Sequence, residues 1–146
     1  MHSPNLPFIW ALISPKSYIR LYNNCLRDRK PDMVVGLHLC RGNFRHSMHF
    51  SEGGYEHIAV KLFNEINVDV YYLEYDTARA GTFEPLKHVP RNKTMVLGLI
   101  TSKFPELENI DELEKRVREA AKIMASGTGE TEEEALNRIC VSPQCG

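Results

Sequence analysis

The sequence predicts an α/β protein organised around a parallel sheet. Apolar runs of strand length alternate along the chain with stretches of helical periodicity. The runs at residues 33–40 and 94–100 are apolar at nearly every position, the pattern of strands covered on both faces. The resulting order is helix, strand, helix, strand, short connection, strand, helix, strand, which is the βα alternation of parallel architectures. Four strands suit an open sheet or half a barrel, since a complete (βα)8 barrel takes roughly 250 residues and this chain has 146. The distinction bears on function, because a barrel collects its chemistry at the C-terminal ends of its strands.

Each element has a local cause. Ser14 followed by Pro15 offers an N-cap and a proline at the first helical position, and Tyr18, Tyr22, Cys25 and Leu26 then recur at helical spacing up to the charged residues 27–30. Pro31-Asp32 breaks this helix, and the first strand follows at 33–40. A polar, glycine-containing loop occupies 41–54. Ile58, Ala59, Leu62, Phe63 and Ile66 mark one face of a second helix, and residues 68–74, rich in β-branched and aromatic side chains, form the second strand. The third strand is 94–100. Asn109 with Glu112 has the spacing of a capping box, and Leu113, Val117, Ala120, Ala121 and Met124 continue as the apolar stripe of a long helix. Thr131 with Glu134 repeats the capping signature before a shorter helix. Residues 139–142 supply a fourth strand that ends at Gln144-Cys145-Gly146. With no repeat, low-complexity linker or charge block to divide it, the chain is expected to form one domain over 1–146.

Composition narrows the function classes. Hydrophobic residues at 42% and charged residues at 25% are those of an ordinary globule, which excludes a disordered or collagen-like chain. Eighteen basic against nineteen acidic side chains leave a net charge of −1, so there is no basic field to hold nucleic acid or anionic lipid. The longest early apolar run, residues 8–13, is too short for a membrane span or a signal sequence, so a cytoplasmic location is expected. Four cysteines, Cys25, Cys40, Cys140 and Cys145, are too sparse for a disulfide framework; in a reducing compartment they are thiols, or thiolates on a metal. Asn92-Lys93-Thr94 matches a glycosylation acceptor, a chance match in a cytosolic chain.

His38 and Cys40 are two apart on a predicted strand and therefore share a face near its C-terminal end. Glu74 lies at the end of the next strand, and Cys145 directly follows the last. One imidazole, two potential thiolates and a carboxylate make a ligand set that suits tetrahedral Zn²⁺ and suits Mg²⁺ or Ca²⁺ poorly. By spacing alone His-x-Cys is a weak signal, because a lone cysteine on an apolar strand is usually a small buried hydrophobe.

From residue 33 to 146 the chain resembles the C-terminal region of the cobalamin-independent methionine synthase family, and more closely that family's short single-barrel members. The resemblance rests on GLHLCRGNF at 36–44, on the Asp69-Val70-Tyr71-Tyr72-Leu73-Glu74 strand, and on the terminal Ser142-Pro143-Gln144-Cys145-Gly146. It implies the C-terminal half of a (βα)8 TIM barrel, with four parallel strands and flanking helices. In that family a His-x-Cys strand, a glutamate ending the next strand and a cysteine before a glycine hold a catalytic zinc, which maps onto His38, Cys40, Glu74 and Cys145. The implied activity is transfer of a methyl group from 5-methyltetrahydrofolate, in its polyglutamate form, to homocysteine or a related thiol in methionine biosynthesis. Arg41, Asn43 and Arg45 stand in a loop that faces substrate by the same resemblance.

Three departures from the family pattern accompany it. Thr101 and Lys103 occupy the loop where the synthases carry Asp and His, which leaves Lys103 as the proton-donor candidate. Residues 1–6 stand where the family has an acidic Asp-Glu-Pro or Asp-Asp-Pro motif. The first four strands of the barrel are missing, so the expected partners include a second copy or a separate chain that completes it, besides a small-molecule thiol and a methylated folate. The alternative is a truncated, catalytically inactive homologue that binds zinc or assembles with other subunits. A barrel relative that decarboxylates porphyrins needs no metal, and the His, Cys, Glu and Cys set argues against it.

The remaining candidates have ordinary explanations. Cys25 and Cys140 read as packing residues. His46, His49, His57 and His88 lie in polar loops or on a helix flank, as solvated surface does. The arginines of the 41–45 loop and Lys103 are of a type common on any surface. Gly127-Thr128-Gly129 lacks the Gly-Lys-Ser/Thr ending of a phosphate loop.

Overall fold

The computed structural model describes residues 15–42 and 53–144. In chain order these form α1 (Pro15–Cys25), β1 (Gly36–Leu39), α2 (Ala59–Glu65), β2 (Val70–Glu74), 3-10 turns at Ala78–Ala80 and Glu84–His88, β3 (Thr94–Ile100), α3 (Ile110–Thr128), α4 (Glu132–Leu136) and β4 (Ile139–Pro143). The sheet runs β1-β2-β3-β4 with every neighbouring pair parallel. Strand order that follows chain order without reversal belongs to a barrel segment; a doubly wound sheet would reverse at a switch point. The architecture is therefore the expected one, four parallel strands with flanking helices as in half of a (βα)8 barrel.

The core lies on one side of this sheet. Tyr71 and Leu73 of β2 and Met95, Leu97 and Leu99 of β3 are buried together with Ala59, Leu62 and Phe63 of α2 and Ala120, Ala121 and Met124 of α3, and Leu37 and Leu39 of β1 pack against them. The stripe anticipated on the long helix is thus its buried face. Asn109 caps that helix, its side chain accepting the N–H groups of Asp111 and Glu112, and Thr131 with Glu134 forms a complete capping box on α4.

The opposite face of the sheet is open among the described residues, which corrects the expectation that β1 is covered on both sides. Gly36 and His38 are exposed while Leu37 and Leu39 are half-buried, and Tyr72 of β2 is 42% exposed. Apolar composition could not show this, because whether an inward face is covered depends on strands from outside the segment. Of the four strands only β3 is buried through its interior, from Met95 to Leu99. Cys140 projects from β4 on the open face and Cys25 ends α1; both are exposed rather than packed. The 33–40 run also contracts to four strand residues, with Met33 and Val34 exposed.

Between β2 and β3 the two 3-10 turns stand where a barrel ordinarily has a helix. Pro85 and Pro90 oppose a continuous helix there, yet Phe83, Pro85, Leu86 and Val89 are buried as a crossover helix face would be. The turn reaches α3 at Gly127, where a Cβ would stand 1.7 Å from the Lys87 carbonyl oxygen, so no other residue permits the contact.

Ion pairs close the N-terminal ends of the strands. The Asp69 carboxylate accepts two hydrogen bonds from the Arg29 guanidinium at 2.6 and 3.0 Å and the Val35 N–H at 2.8 Å. Arg138 is bonded to Glu130 and donates to the carbonyl oxygens of Pro90 and Lys93, both at 3.0 Å. Among the described residues no helix is long and apolar enough to cross a membrane.

Candidate metal centre

The C-terminal ends of β1 and β2 bring His38, Cys40 and Glu74 together. One ligand atom from each lies within 4.8 Å of the others. Strand pairing accounts for this: Leu39 is in register with Leu73, so the residues one step further on leave neighbouring strand ends, and His38 lies two positions back on the Cys40 face.

Glu74 is the anchored member. Its side chain is 1% exposed, Oε2 accepts the Arg41 N–H at 3.0 Å, and Oε1 faces His38 Nε2 at 3.7 Å. That separation exceeds a hydrogen bond, so the imidazole and the carboxylate face the same space without closing on each other. Gly42, at a φ of 90°, turns its N–H onto Cys40 Sγ at 3.2 Å; this left-handed conformation favours glycine. The His38 side chain is 42% exposed on the open face.

A second set of residues holds Glu74 from behind. The Tyr55 hydroxyl accepts the Glu74 N–H at 3.1 Å and donates to the Glu74 carbonyl oxygen at 3.4 Å. Burial pushes this hydroxyl above its ordinary pKa while the Arg41 guanidinium, over the Tyr55 ring at 4.5 Å, pulls the other way. Arg41 also bonds the Gly53 carbonyl and is 6% exposed. Its side chain thus lies under the Glu74 strand end rather than on the surface. Tyr55 carried no sequence signal, since a tyrosine preceding a helix is ordinary and its contact with Glu74 spans 19 residues.

The cavity above these groups has a volume of about 460 Å³ and is lined by Gly36, His38, Tyr72, Glu74, Gly98 and Gln144 among others. At Gly98 the wall is tight against β2: a Cβ there would stand 3.2 Å from the Leu73 carbonyl oxygen and 3.5 Å from the Glu74 Cα. Gln144 is a further residue the sequence did not single out. It is 5% exposed, and its side-chain oxygen accepts a hydrogen bond from Lys103 Nζ at 2.6 Å. Of the remaining sequence candidates, Asn43, Arg45, His46, His49 and the fourth proposed ligand, Cys145, lie outside the described residues, whereas His57 and His88 lie on α2's approach and in the Glu84–His88 turn.

Three donors of these types on two adjacent strand ends can be set beside known proteins. The family described as "Cobalamin-independent synthase, Catalytic domain" matches residues 23–146. The chain belongs to the cobalamin-independent synthase catalytic-domain family. It is 42% identical over 130 residues to the uncharacterized protein YxjG of Bacillus subtilis (strain 168), covering 88% of this chain and 32% of that protein. The uncharacterized protein YxjH of the same strain is 40% identical over 133 residues, 90% of this chain and 32% of that protein. The chain therefore spans about a third of the length of the curated relatives it matches. A crystal structure of a putative vitamin-B12 independent methionine synthase from Listeria monocytogenes superposes with a TM-score of 0.64 at 30% identity, over 90% of this chain and 34% of that one. A B12-independent methionine synthase from Shewanella sp. W3-18-1, solved in complex with selenomethionine, gives a TM-score of 0.63 at 18% identity, over 88% of this chain and 35% of that one, a likeness of fold. In this synthase-family domain the imidazole, thiol and carboxylate form a donor set that fits zinc: two borderline or soft donors and one oxygen, with room beside them.

Proposed function

We propose that this domain is the zinc-binding half of a thiol S-methyltransferase of methionine biosynthesis, which moves a methyl group from 5-methyltetrahydrofolate polyglutamate to homocysteine or a related thiol once the rest of a barrel is supplied. The convergence of His38, Cys40 and Glu74 within 4.8 Å carries this reading. With Cys145 as the fourth ligand the set is completed by the residue after Gln144, itself at the cavity wall. Bound zinc supplies a Lewis acid that keeps a coordinated substrate thiol as thiolate near neutral pH.

The chain's own residues have separable tasks. Cys40, Cys145 and Glu74 bring three negative charges, so they hold a divalent cation firmly and leave the centre electron-rich. The Arg41 N–H and the Tyr55 hydroxyl fix the Glu74 strand end, so that the carboxylate meets the ion without paying for its own ordering. Gly98 lets the cavity wall fit tightly against the Glu74 strand end. Asn43 and Arg45 are candidates for contact with the folate or the amino acid, and a reducing cytoplasm suits the two cysteines. Lys103, the proton-donor candidate of the sequence, lies past the end of β3 with its ammonium bonded to the Gln144 side-chain oxygen.

The exposed inner face and the unpaired outer edges of β1 and β4 among the described residues support a partner that completes the barrel, either a second copy or a separate chain. The second reading is an inactive zinc-binding homologue, favoured by the Thr101 and Lys103 departure. Zinc stoichiometry of the wild type and of Cys145→Ala, beside a methyl-transfer assay with methylated folate and homocysteine, separates these. One zinc in the wild type, lost or weakened in the variant, with turnover supports the transferase. The same binding without turnover supports the inactive homologue, and no zinc in the wild type rejects both.

A further inference from the structure

We propose that Lys103 and Gln144 form a latch that sets the course of the chain at the end of β4 and so delivers Cys145 to the metal; Lys103 is on this view a positioning residue rather than a proton donor. The inference rests on the metal-centre reading above and deepens it. Three observations converge on the β4 end. The β3–β4 register shifts between Gly98 and Ile100, so that Pro143 faces Ile100 one step later than regular pairing would place it; such irregularities re-aim the residues that follow. The Gln144 N–H then donates to the Ile100 carbonyl oxygen at 2.8 Å, which holds the backbone to β3 after the strand has ended. Finally, the Lys103 ammonium reaches across 41 residues of sequence to the Gln144 side-chain oxygen at 2.6 Å.

The chemistry of that last bond fixes the amide. An ammonium has only donors, so the atom it meets must be the carboxamide oxygen and cannot be the nitrogen. Gln144 Nε2 is consequently turned the other way, buried and without an acceptor among the described residues. A buried donor left in this state costs free energy unless something nearby accepts from it. A thiolate or a metal-bound carboxylate at the adjoining centre is an acceptor of the needed charge. The Lys103 loop is itself fastened, with Thr101 N–H donating to Glu108 Oε1 at 2.6 Å and Lys103 N–H to Thr101 Oγ1 at 3.2 Å. Backbone, side chain and loop therefore all constrain the residue immediately before Cys145, and consecutive Cα atoms are only about 3.8 Å apart.

The test loads the full chain with Co²⁺ in place of zinc and reads the thiolate-to-cobalt charge-transfer absorption, which grows with the number of sulfur ligands. Wild type should show two thiolates and Cys145→Ser one. Lys103→Met and Gln144→Leu should resemble Cys145→Ser, with zinc affinity down by at least about tenfold, the range found when partners of metal ligands are removed. Lys103→Arg, which keeps a cationic donor, should restore most of the lost absorption. A Lys103→Met protein with wild-type absorption and wild-type zinc affinity overturns the latch while leaving the metal centre intact. Should Lys103→Met lose its far-ultraviolet dichroism as well, Lys103→Arg and Gln144→Leu decide: a folded Gln144→Leu with wild-type absorption, or a folded Lys103→Arg without recovery, overturns it too. Wild type that takes up no metal overturns the metal-centre reading, and the latch falls with it.

Discussion

The two ends of the sheet are built on opposite principles. At the N-terminal ends of the strands, charged groups are paired to completion. Arg138 spends its guanidinium on Glu130 and on two carbonyl oxygens, and the pair is only 11% and 4% exposed. At the C-terminal ends, Glu74 is more deeply buried still, yet one of its oxygens faces an imidazole that stands beyond hydrogen-bond distance. The first arrangement neutralises charge and joins elements distant in sequence. The second gathers an imidazole, a thiol and a carboxylate around a shared space, with one ligand atom of each within 4.8 Å of the others. Stabilising ion pairs thus lie at one rim of this half-barrel and the candidate metal centre at the other.

The sharpest way to break that comparison is at Arg138. Arg138→Met removes one partner of a buried ion pair and leaves Glu130 desolvated with the Thr128 hydroxyl and the charge of Arg91 as its remaining support, which costs roughly 3 kcal/mol, the lower end for a broken buried pair. Chemical denaturation should show this loss in the metal-free protein. Zinc affinity of whatever remains folded at low temperature should stay within a few-fold of wild type. A loss below about 1 kcal/mol, the range of an exposed pair, refutes the structural role assigned to this rim.

Glu74→Gln is the complementary change. The amide keeps the size of the carboxylate, and its oxygen can still accept the Arg41 N–H, so the metal-free protein should unfold within about 1 kcal/mol of wild type. Its zinc affinity should fall by roughly 100-fold, close to an equal share of the binding free energy typical of four-ligand zinc sites. Chemical denaturation of the metal-free proteins checks the first and calorimetric titration with zinc the second, and an unchanged affinity removes Glu74 from the ligand set.

The sequence revealed the two rims unequally, for a physical reason. Elements set by local rules were legible: β3 at 94–100, the Asn109 cap of α3 and the Thr131–Glu134 box of α4 each depend on residues within a few positions of one another. His38, Cys40 and Glu74 were legible as a group because strand alternation fixes faces and the family resemblance fixes the ends. Contacts that close over tens of residues left no trace. Tyr55 under Glu74, Gln144 beside Lys103 and Arg138 on the carbonyls of residues 90 and 93 are ordinary residue types whose roles exist only after folding. The exposure of Cys140 went unforeseen for the same reason, since a composition that suits burial does not say what does the burying. The β2–β3 crossover shows the converse, because Pro85 and Pro90 were visible signs against a helix but not of the paired 3-10 turns that replace it.

The smallest expected effect belongs to Asp69, which is paired but not sealed. Its side chain is 36% exposed, so solvent screens the Arg29 contact and its worth is small. Hydrogen bonding from Arg29 nevertheless holds the carboxyl below its ordinary value of 3.8. A group whose folded pKa is depressed stabilises the fold fully above its unfolded value and loses that contribution as pH falls through the folded one. Wild-type stability should therefore decline below about pH 4 with a component that Asp69→Asn lacks. At pH 7 the variant should have the lower urea midpoint by a small margin, and the gap should narrow on acidification until the two urea midpoints meet. A gap that stays constant from pH 7 down to pH 2 would mean that Asp69 acts through the Val35 N–H alone, as a neutral acceptor could, and that charge pairing at this corner of the N-terminal rim contributes nothing.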